Sequence, residues 1–241
     1  MSCRFRVLMI ALGLGLGASA GLPGQEAGGA ETTPVEQVLP PGLTSAGELK
    51  LTGTGDGQIP SAASRKAGTW AYAAASQKLQ LKPEPLVEGW LEFGSEIREK
   101  SATITAVVES SGEGRLESWI GIGLFGKNGF QIRGILNRDR VELIRRSETI
   151  IGEDFVLEPG QAYQLELSTH AESSRYRVEA RVWPADGERP EEPLLVHETD
   201  AETLLFPLAG RGVLVGVPFS REPVAFSEAQ LFHGVIESGA E

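Results

Sequence analysis

The segment WIGIGLFGKNGFQIRGILNRDRVELIRR, residues 119–146, contains three short runs in which apolar residues alternate with other residues. Two polar stretches, residues 127–129 and 137–140, separate the runs. The Asn-Gly pair in the first stretch favours positive φ angles and therefore a tight turn between antiparallel strands. The segment predicts a three-stranded meander, and we expect the rest of the chain to continue this all-β pattern.

Further strands are predicted on both sides of the meander, from short runs of β-branched and aromatic residues that lie between turn residues. Two of the runs, residues 163–168 and 176–183, are expected to pair, each with one apolar and one charged face. One helical turn is expected at residues 201–205. About a dozen strands with few helical signals predict two packed antiparallel sheets. The remaining runs are residues 47–53, 69–72, 78–81, 90–93, 102–108, 150–151, 155–157, 194–197, 212–217 and 224–232.

Composition and charge restrict the classes of partner. The chain has 241 residues with 30 Gly and 14 Pro, which favours turns over helices, and we expect one domain at residues 48–236. The formal net charge is −11. An anionic surface repels phosphate backbones and anionic lipid head groups, so nucleic acid and membrane surfaces are poor candidate partners. The sequence gives no indication of oligomeric state.

The first 20 residues have the pattern of a secretory signal peptide. Arg4 and Arg6 precede an apolar run at residues 7–17, and Ala18-Ser19-Ala20 follows as a small-residue cleavage site. The run is too short and Gly-rich for the alternative, an uncleaved membrane anchor. We expect export to the periplasm or the extracellular space, with no membrane insertion after cleavage. Because Cys3 is the one cysteine, the mature chain would contain no disulfide.

The Gly-, Pro- and Thr-rich residues 21–47 predict a flexible linker, and residues 237–241 a short tail. Between them, the spacing of strands, aromatic residues and glycines resembles the concanavalin A-like jelly-roll superfamily, and within it the laminin-G-like and keto-disaccharide-hydrolase-like domains of exported bacterial proteins. The resemblance implies a two-sheet jelly roll. Its keto-disaccharide-hydrolase part also implies a hydrolase or lyase that acts on a sugar derivative, although the same fold hosts lectins, glycosidases and structural modules. It rests on Trp70, residues 102–108, 121–125, 130–146, 163–167, 181–184 and 188–193, and the closing runs 212–217 and 224–231.

The sequence contains no recognisable catalytic or metal-binding motif. Glycosidases need two suitably spaced carboxylates, whereas Glu153-Asp154 and Glu191-Glu192 are adjacent pairs in predicted loops, where solvated surface acids are expected. The three histidines, at positions 170, 197 and 233, lack the spacing of zinc ligands. No Gly-x-Ser-x-Gly motif occurs. We therefore expect no metal and no cofactor, and an enzyme, if the chain is one, would be of the glycoside hydrolase type.

Binding is the function that remains. Gln131 and Arg133 are predicted to share one face of a strand, opposite Phe130 and Ile132. Trp119 or Phe125 could form an aromatic platform for a sugar ring, and Glu142 and Arg145 could extend the polar patch, although most Trp and Phe residues pack in cores. We predict a non-enzymatic module that binds carbohydrate or cell-envelope material through Trp119, Gln131 and Arg133. A sugar-directed hydrolase or lyase and a structural or protein-interaction domain are the alternatives.

Overall fold

Strands dominate the part of the chain that the computed structural model describes, which is residues 42–84, 87–98, 101–110, 118–172, 174–204, 207–217 and 222–235. Helical structure in these ranges is limited to single 3₁₀ turns at Gly126–Asn128, Leu136–Arg138 and Ala201–Thr203. The strands are β1 (Thr44–Glu48), β2 (Ala63–Ala67), β3 (Trp70–Ala73), β4 (Lys78–Leu81), β5 (Gly89–Arg98), β6 (Ala102–Ser110), β7 (Trp119–Leu124), β8 (Phe130–Ile135), β9 (Arg140–Arg145), β10 (Glu148–Asp154), β11 (Ala162–Glu172), β12 (Arg175–Pro184), β13 (Leu195–Asp200), β14 (Ala209–Val217) and β15 (Val224–His233).

The strands form two antiparallel sheets. Sheet A has the order β13-β12-β11-β6-β15-β4-β3, with β1 also paired to β15. Sheet B has the order β10-β9-β8-β7-β14-β5-β2. Neighbouring strands in each sheet are often distant in sequence, as β6 and β15 are, so the chain crosses repeatedly between the sheets. The predicted two-sheet all-β sandwich is confirmed.

The core lies between the two sheets and is built by the alternation of side chains along the strands. Each fully buried Leu, Ile or Phe contributes about 1.5–3 kcal/mol relative to an exposed one, so this interior holds the sheets together. Sheet B contributes Leu91, Phe93, Ile120, Ile122, Leu124, Phe130, Ile132, Val141, Leu143 and Leu214, and sheet A contributes Leu79, Leu81, Ile104, Leu165, Leu167, Val178, Phe226 and Leu231.

The predicted meander is confirmed as β7, β8 and β9, but its first turn has a different cause from the one expected. Gly129 has a negative φ of −86°, and the positive φ angles fall on Phe125 and Gly126, both at 64°. Gly210 on β14 packs against this backbone so closely that a Cβ there would lie 2.4 Å from the Phe125 carbonyl carbon. The turn is therefore shaped by tertiary packing, and the Asn-Gly pair contributes no positive φ angle.

The N-terminal part of the domain differs most from the prediction. The first strand is Thr44–Glu48, inside the stretch predicted as linker, whereas Leu49 and Leu51 are buried outside any strand. Strand β2, Ala63–Ala67, lies between two predicted runs, where no strand was predicted. Strand β1 belongs to sheet A but passes close to β5 of sheet B, where a Cβ at Gly47 would lie 2.3 Å from the Gly94 Cα, so this approach needs a glycine at position 47.

Several sequence predictions lie outside the described residues. These are the signal peptide at 1–20, most of the linker at 21–47, the tail at 237–241 and most of the turn at 110–114. The short helical turn expected near residue 201 is confirmed as Ala201–Thr203. No helix in the described ranges is long and apolar enough to cross a membrane.

Candidate functional site

The outer face of sheet B, which points away from the core, brings the predicted site residues together. Strand register arranges its side chains in three rows across β5, β14, β7, β8 and β9. We call this surface the sheet B face. Its rows are Glu92-Val213-Gly123-Gln131-Ile144, then Trp90-Val215-Gly121-Arg133-Glu142, then Val217-Trp119-Ile135-Arg140.

An apolar strip crosses the middle of the sheet B face. Trp90 on β5 and Trp119 on β7 lie on either side of β14 and pack with its valines, Val213, Val215 and Val217. Trp119 is only 7% exposed, while Trp90 is half-buried. Trp119 therefore acts as the floor of the face, and Trp90 is the tryptophan with more accessible surface.

Arg133 lies flat over Trp119. The guanidinium carbon is 3.9 Å from the centre of the indole ring, within the range of a cation–π contact. Its Nη2 donates to Glu88 Oε1 at 3.2 Å and to Gln131 Oε1 at 3.0 Å. Burial lowers the pKa of Arg133, and the negative charges of Glu88 and Glu142 offset this only in part.

Gln131 fills the space that Gly123 leaves on the neighbouring strand. A Cβ at Gly123 would lie 2.7 Å from Gln131 Cγ, and Gln131 itself is only 3% exposed. Gln131 and Arg133 share the face opposite Phe130 and Ile132, as predicted. Gln131 is placed to orient Arg133 rather than to meet solvent.

Two further residues considered for the site lie elsewhere. Phe125 is 1% exposed in the core, so it offers no platform. Arg145 points inward, with its guanidinium 5.4 Å from the Phe130 ring centre and its Nε donating to the Asn128 carbonyl. Glu142 does lie beside Arg133 in register, but its carboxylate accepts from Arg140 and Thr149.

Sequence reasoning missed the contribution of β5 and β2. Trp90 Nε1 donates to Glu92 Oε1 at 3.4 Å, and Lys66 Nζ lies 3.3 Å from Glu92 Oε2. Glu88, which binds Arg133, directly precedes β5. The alternation Glu88-x-Trp90-x-Glu92 on one strand face was the available signal, but it does not reveal that β5 lies two strands from β7.

Comparison with known proteins identifies the fold. No family model matches the chain, and no curated protein does. Among solved structures, the lectin UEA-II complexed with galactose is 10% identical to this chain, with a TM-score of 0.53. The match covers 73% of this chain and 94% of the lectin. The Emp46p carbohydrate recognition domain is 14% identical with a TM-score of 0.54, covering 80% and 99%. The seed lectin of Lotus tetragonolobus is 7% identical with a TM-score of 0.52, covering 72% and 94%.

The fold is that of the concanavalin A-like jelly rolls. The superfamily resemblance seen in the sequence is thereby confirmed at the level of the fold. The closer likeness to laminin-G-like and keto-disaccharide-hydrolase-like domains stays a prediction. Because these structures are only 7–14% identical to this chain, they indicate its fold but not which of its residues bind a ligand.

The jelly roll contains a second polar cluster, on the outer face of sheet A, which we call the Glu166 cluster. Glu166 on β11 is 1% exposed and lies opposite Arg181 on β12. Arg189, from the loop after β12, donates to both Glu166 oxygens at 2.8 and 2.7 Å, and Arg181 Nη1 lies 3.2 Å from Glu166 and from Glu179. The sequence predicts one charged face for each of β11 and β12, and Glu166 and Arg181 lie on those faces. The loop encloses the pair Glu166 and Arg181.

The Glu166 cluster is structural rather than catalytic. Both Glu166 oxygens are occupied by guanidinium groups, and Arg181 Nη2 donates to the Glu191 carbonyl, which fixes the acidic loop to the sheet. Burial tends to raise the pKa of Glu179, but the hydrogen bond from Arg177 and the charges of His170 and Arg181 lower it overall. A substrate would have to displace this whole network to reach a carboxylate.

The described residues contain no group of three or more His, Cys, Asp or Glu side chains that could hold a metal ion. His170 lies 3.7 Å from Glu179, whereas His197 lies near the Phe130 ring, with ring centres 6.4 Å apart. Burial and the nearby charge of Arg145 lower the pKa of His197. The acids Glu153 and Asp154 are exposed, as expected for surface residues.

Proposed function

We propose that this jelly roll is a non-enzymatic carbohydrate-binding domain and that the sheet B face is its binding surface. The observation that carries the proposal is the placement of Trp90, Trp119 and Arg133 on one outer face, next to Glu88 and Glu92. Aromatic surface suits the apolar face of a sugar ring, and charged or amide groups suit its hydroxyls.

The two tryptophans take different parts in the proposed site. The indole face of Trp119 is occupied by Arg133, so a sugar would contact Trp90 and the accessible parts of Arg133, Glu88 and Glu92. Two of the similar structures support the ligand class, since one is a lectin complexed with galactose and the other is a carbohydrate recognition domain.

The enzyme alternative finds less support on the sheet B face. A glycosidase needs one carboxyl group as acid and a second carboxylate on the other side of the scissile bond. Here Glu88 binds Arg133, Glu92 lies against Lys66, and Glu142 binds Arg140. With each carboxylate bound to a basic side chain, recognition of hydroxyl groups is the better proposal.

A polysaccharide array tests the proposal, with retention and release of soluble sugar measured in the same wells. Trp90→Ala is expected to weaken retention about tenfold, equivalent to about 1.4 kcal/mol. Trp183→Ala is the matched control, because Trp183 is half-buried at the end of β12 in sheet A. Equal loss in both variants would contradict the assignment of the face, and sugar release would favour the hydrolase or lyase.

We also propose that the domain acts after export, in the periplasm or outside the cell, and meets its glycan as part of the cell envelope. The signal-peptide pattern of residues 1–20 supports this location. Sequencing the N-terminus of the protein recovered from an expressing bacterium tests it. A chain that begins at Gly21 is expected, whereas a retained Met1 would contradict export by this signal.

A further inference from the structure

Arg133 is a buried cation whose charge is only partly offset by the protein. Its side chain is 13% exposed, and its carboxylate partner, Glu88, has a side chain that is 44% exposed. The second acceptor, the Gln131 amide, is neutral. The Nε atom of Arg133 is buried and has no hydrogen-bond acceptor among the described residues.

The exposure of the partner matters, because an ion pair with a solvent-exposed glutamate contributes little to stability. Removing a guanidinium from water is unfavourable unless carboxylates and hydrogen bonds replace the lost solvation. The lowered pKa of Arg133 has burial as its largest cause and agrees with this physical picture. A second anion at this position would therefore be stabilised.

The other acids of the sheet B face are engaged elsewhere. Glu142 accepts from Arg140 at 3.2 Å and from Thr149 at 3.0 Å. Glu92 lies 3.3 Å from Lys66 and accepts from Trp90. Glu142 acts on Arg133 through its charge, but no carboxylate of the described residues other than Glu88 is paired with the guanidinium, which leaves room for a carboxylate from a ligand.

We infer that Arg133 receives the carboxylate of an acidic sugar of the uronic acid class, which takes the place of Glu88 on the guanidinium. The inference rests on the proposed function of the sheet B face. Nη2 and Nε form one edge of the guanidinium, and such an edge matches the two oxygens of a carboxylate in paired hydrogen bonds. Because Nε is buried here, the inference requires that the displacement of Glu88 also uncovers Nε. Trp119 holds the guanidinium plane from below, and Gln131 holds it from the side.

The net charge of −11 does not oppose this site at physiological salt. Charges separated by more than about 8 Å are largely screened at that ionic strength. Around the site, the acids Glu88, Glu92, Glu142 and Asp154 lie against Lys66, Arg133 and Arg140. Displacing Glu88 into solvent leaves Arg133 without its own carboxylate, which favours a bound one.

The test compares polyuronates with their methyl esters, which keep the sugar backbone and lose the charge. Polygalacturonate, alginate and hyaluronan serve as probes, each beside its methyl ester, with dextran sulfate as a sulfated control. The intact protein is expected to bind at least one polyuronate about tenfold more tightly than its ester. Dextran sulfate is expected to bind more weakly than that polyuronate.

Three variants sharpen the test. Arg133→Lys keeps the charge but loses the paired donor edge, so the preference for acid over ester is expected to disappear. Glu88→Gln removes the competing carboxylate, so the preference for the acid over the ester is expected to rise several-fold. Arg140→Lys is the control on the same face, since Arg140 is already paired with Glu142, and it is expected to keep the preference. Melting curves confirm that each variant is folded.

The outcomes separate the two proposals. Equal binding of acid and ester would overturn the carboxylate site and leave glycan binding standing. A smaller preference for the acid over the ester in Glu88→Gln would also overturn it, because Glu88 would then not compete with the ligand carboxylate. Dextran sulfate bound as tightly as the polyuronate would replace the carboxylate site with a general anion site. Retention of no polysaccharide at all would overturn both proposals.

Discussion

Arg133 and Arg181 are both buried arginines on outer faces of the sandwich, and they differ in what surrounds the charge. Arg181, in sheet A, has a side chain that is 6% exposed and lies 3.2 Å from two carboxylates, Glu166 and Glu179. Arg133, in sheet B, lies on an aromatic ring and reaches one exposed carboxylate, Glu88. Each has a buried Nε without an acceptor among the described residues, so the carboxylates make the difference.

The two arginines also differ in what lies over them, because the loop after β12 covers Arg181, whereas the contacts of Arg133 within the described residues come from the sheet B strands and from Glu88 beside them. On sheet A, Arg189 and the Glu191 carbonyl, both from the loop after β12, enclose the Glu166 cluster. On sheet B, Arg133 itself covers Trp119. A buried arginine that is enclosed by acids holds the fold together, whereas one that depends on an exposed, displaceable acid is available to a ligand.

Removing Glu166 should have the largest effect on stability. Glu166→Ala leaves Arg181 and Arg189 without their shared carboxylate, and breaking a buried ion pair in this way costs about 3–5 kcal/mol. Urea unfolding measures the loss. Glu88→Ala on sheet B is the matched control and should change the free energy of unfolding by less than about 1 kcal/mol. Similar losses of unfolding free energy in the two variants would contradict the difference between the surroundings of Arg181 and those of Arg133.

Releasing the loop from sheet A should have the next largest effect. Arg189→Ala removes two hydrogen bonds to a buried carboxylate, which should cost about 1–3 kcal/mol. Limited proteolysis should then cut within residues 185–193 faster than in the unaltered protein, because the loop opens locally. Lys66→Ala, which removes an ion pair on sheet B, should leave the cleavage rate unchanged. An unchanged rate in Arg189→Ala would contradict the fixing of the loop by Arg189.

Replacing Arg133 should change stability little and ligand binding strongly. Arg133→Met keeps the apolar contact with Trp119 and removes a poorly compensated charge, so the free energy of unfolding should stay within about 1 kcal/mol of the original. Urea unfolding and glycan retention are measured on the same preparation. A loss above about 3 kcal/mol would place Arg133 with Arg181 as a structural residue.

The smallest expected effect is on the pH dependence of stability, and it comes from Glu179 in sheet A. The pKa of Glu179 is lower in the folded protein than its ordinary value of 4.5, so the folded state keeps this carboxylate ionised where the unfolded chain protonates it. Its contribution is present above pH 4.5 and is lost as pH falls through the lowered pKa. Unfolding measured from pH 7 to pH 3 should show a shallower fall in Glu179→Gln than in the original. Parallel curves would contradict this contribution.

Much of sheet B was predictable because its strands are adjacent in sequence and alternate regularly. The meander of β7 to β9 fixes which residues share a face, so Gln131 and Arg133 could be placed together on the face opposite Phe130. The pairing of residues 163–168 with 176–183 followed from the same local pattern, and β11 and β12 confirm it.

What could not be predicted depends on contacts between distant parts of the chain. Strand β1 lacks an alternating pattern and forms because Gly47 can pass close to Gly94. The burial of Glu166 depends on Arg189, which lies in a loop whose path a single sequence does not reveal. Trp90 and Trp119 lie on either side of the β14 valines because β14 is inserted between β5 and β7, an arrangement that the sequence alone does not reveal.

The pairing of β1 with β15 places Thr44 opposite His233, so the first and last strands of the domain lie side by side in sheet A. A short linker would therefore join residue 43 to residue 234 and give a circularly permuted domain with the same strand order. Both described ends of the domain therefore lie in sheet A, whereas the sheet B face belongs to the other layer of the sandwich.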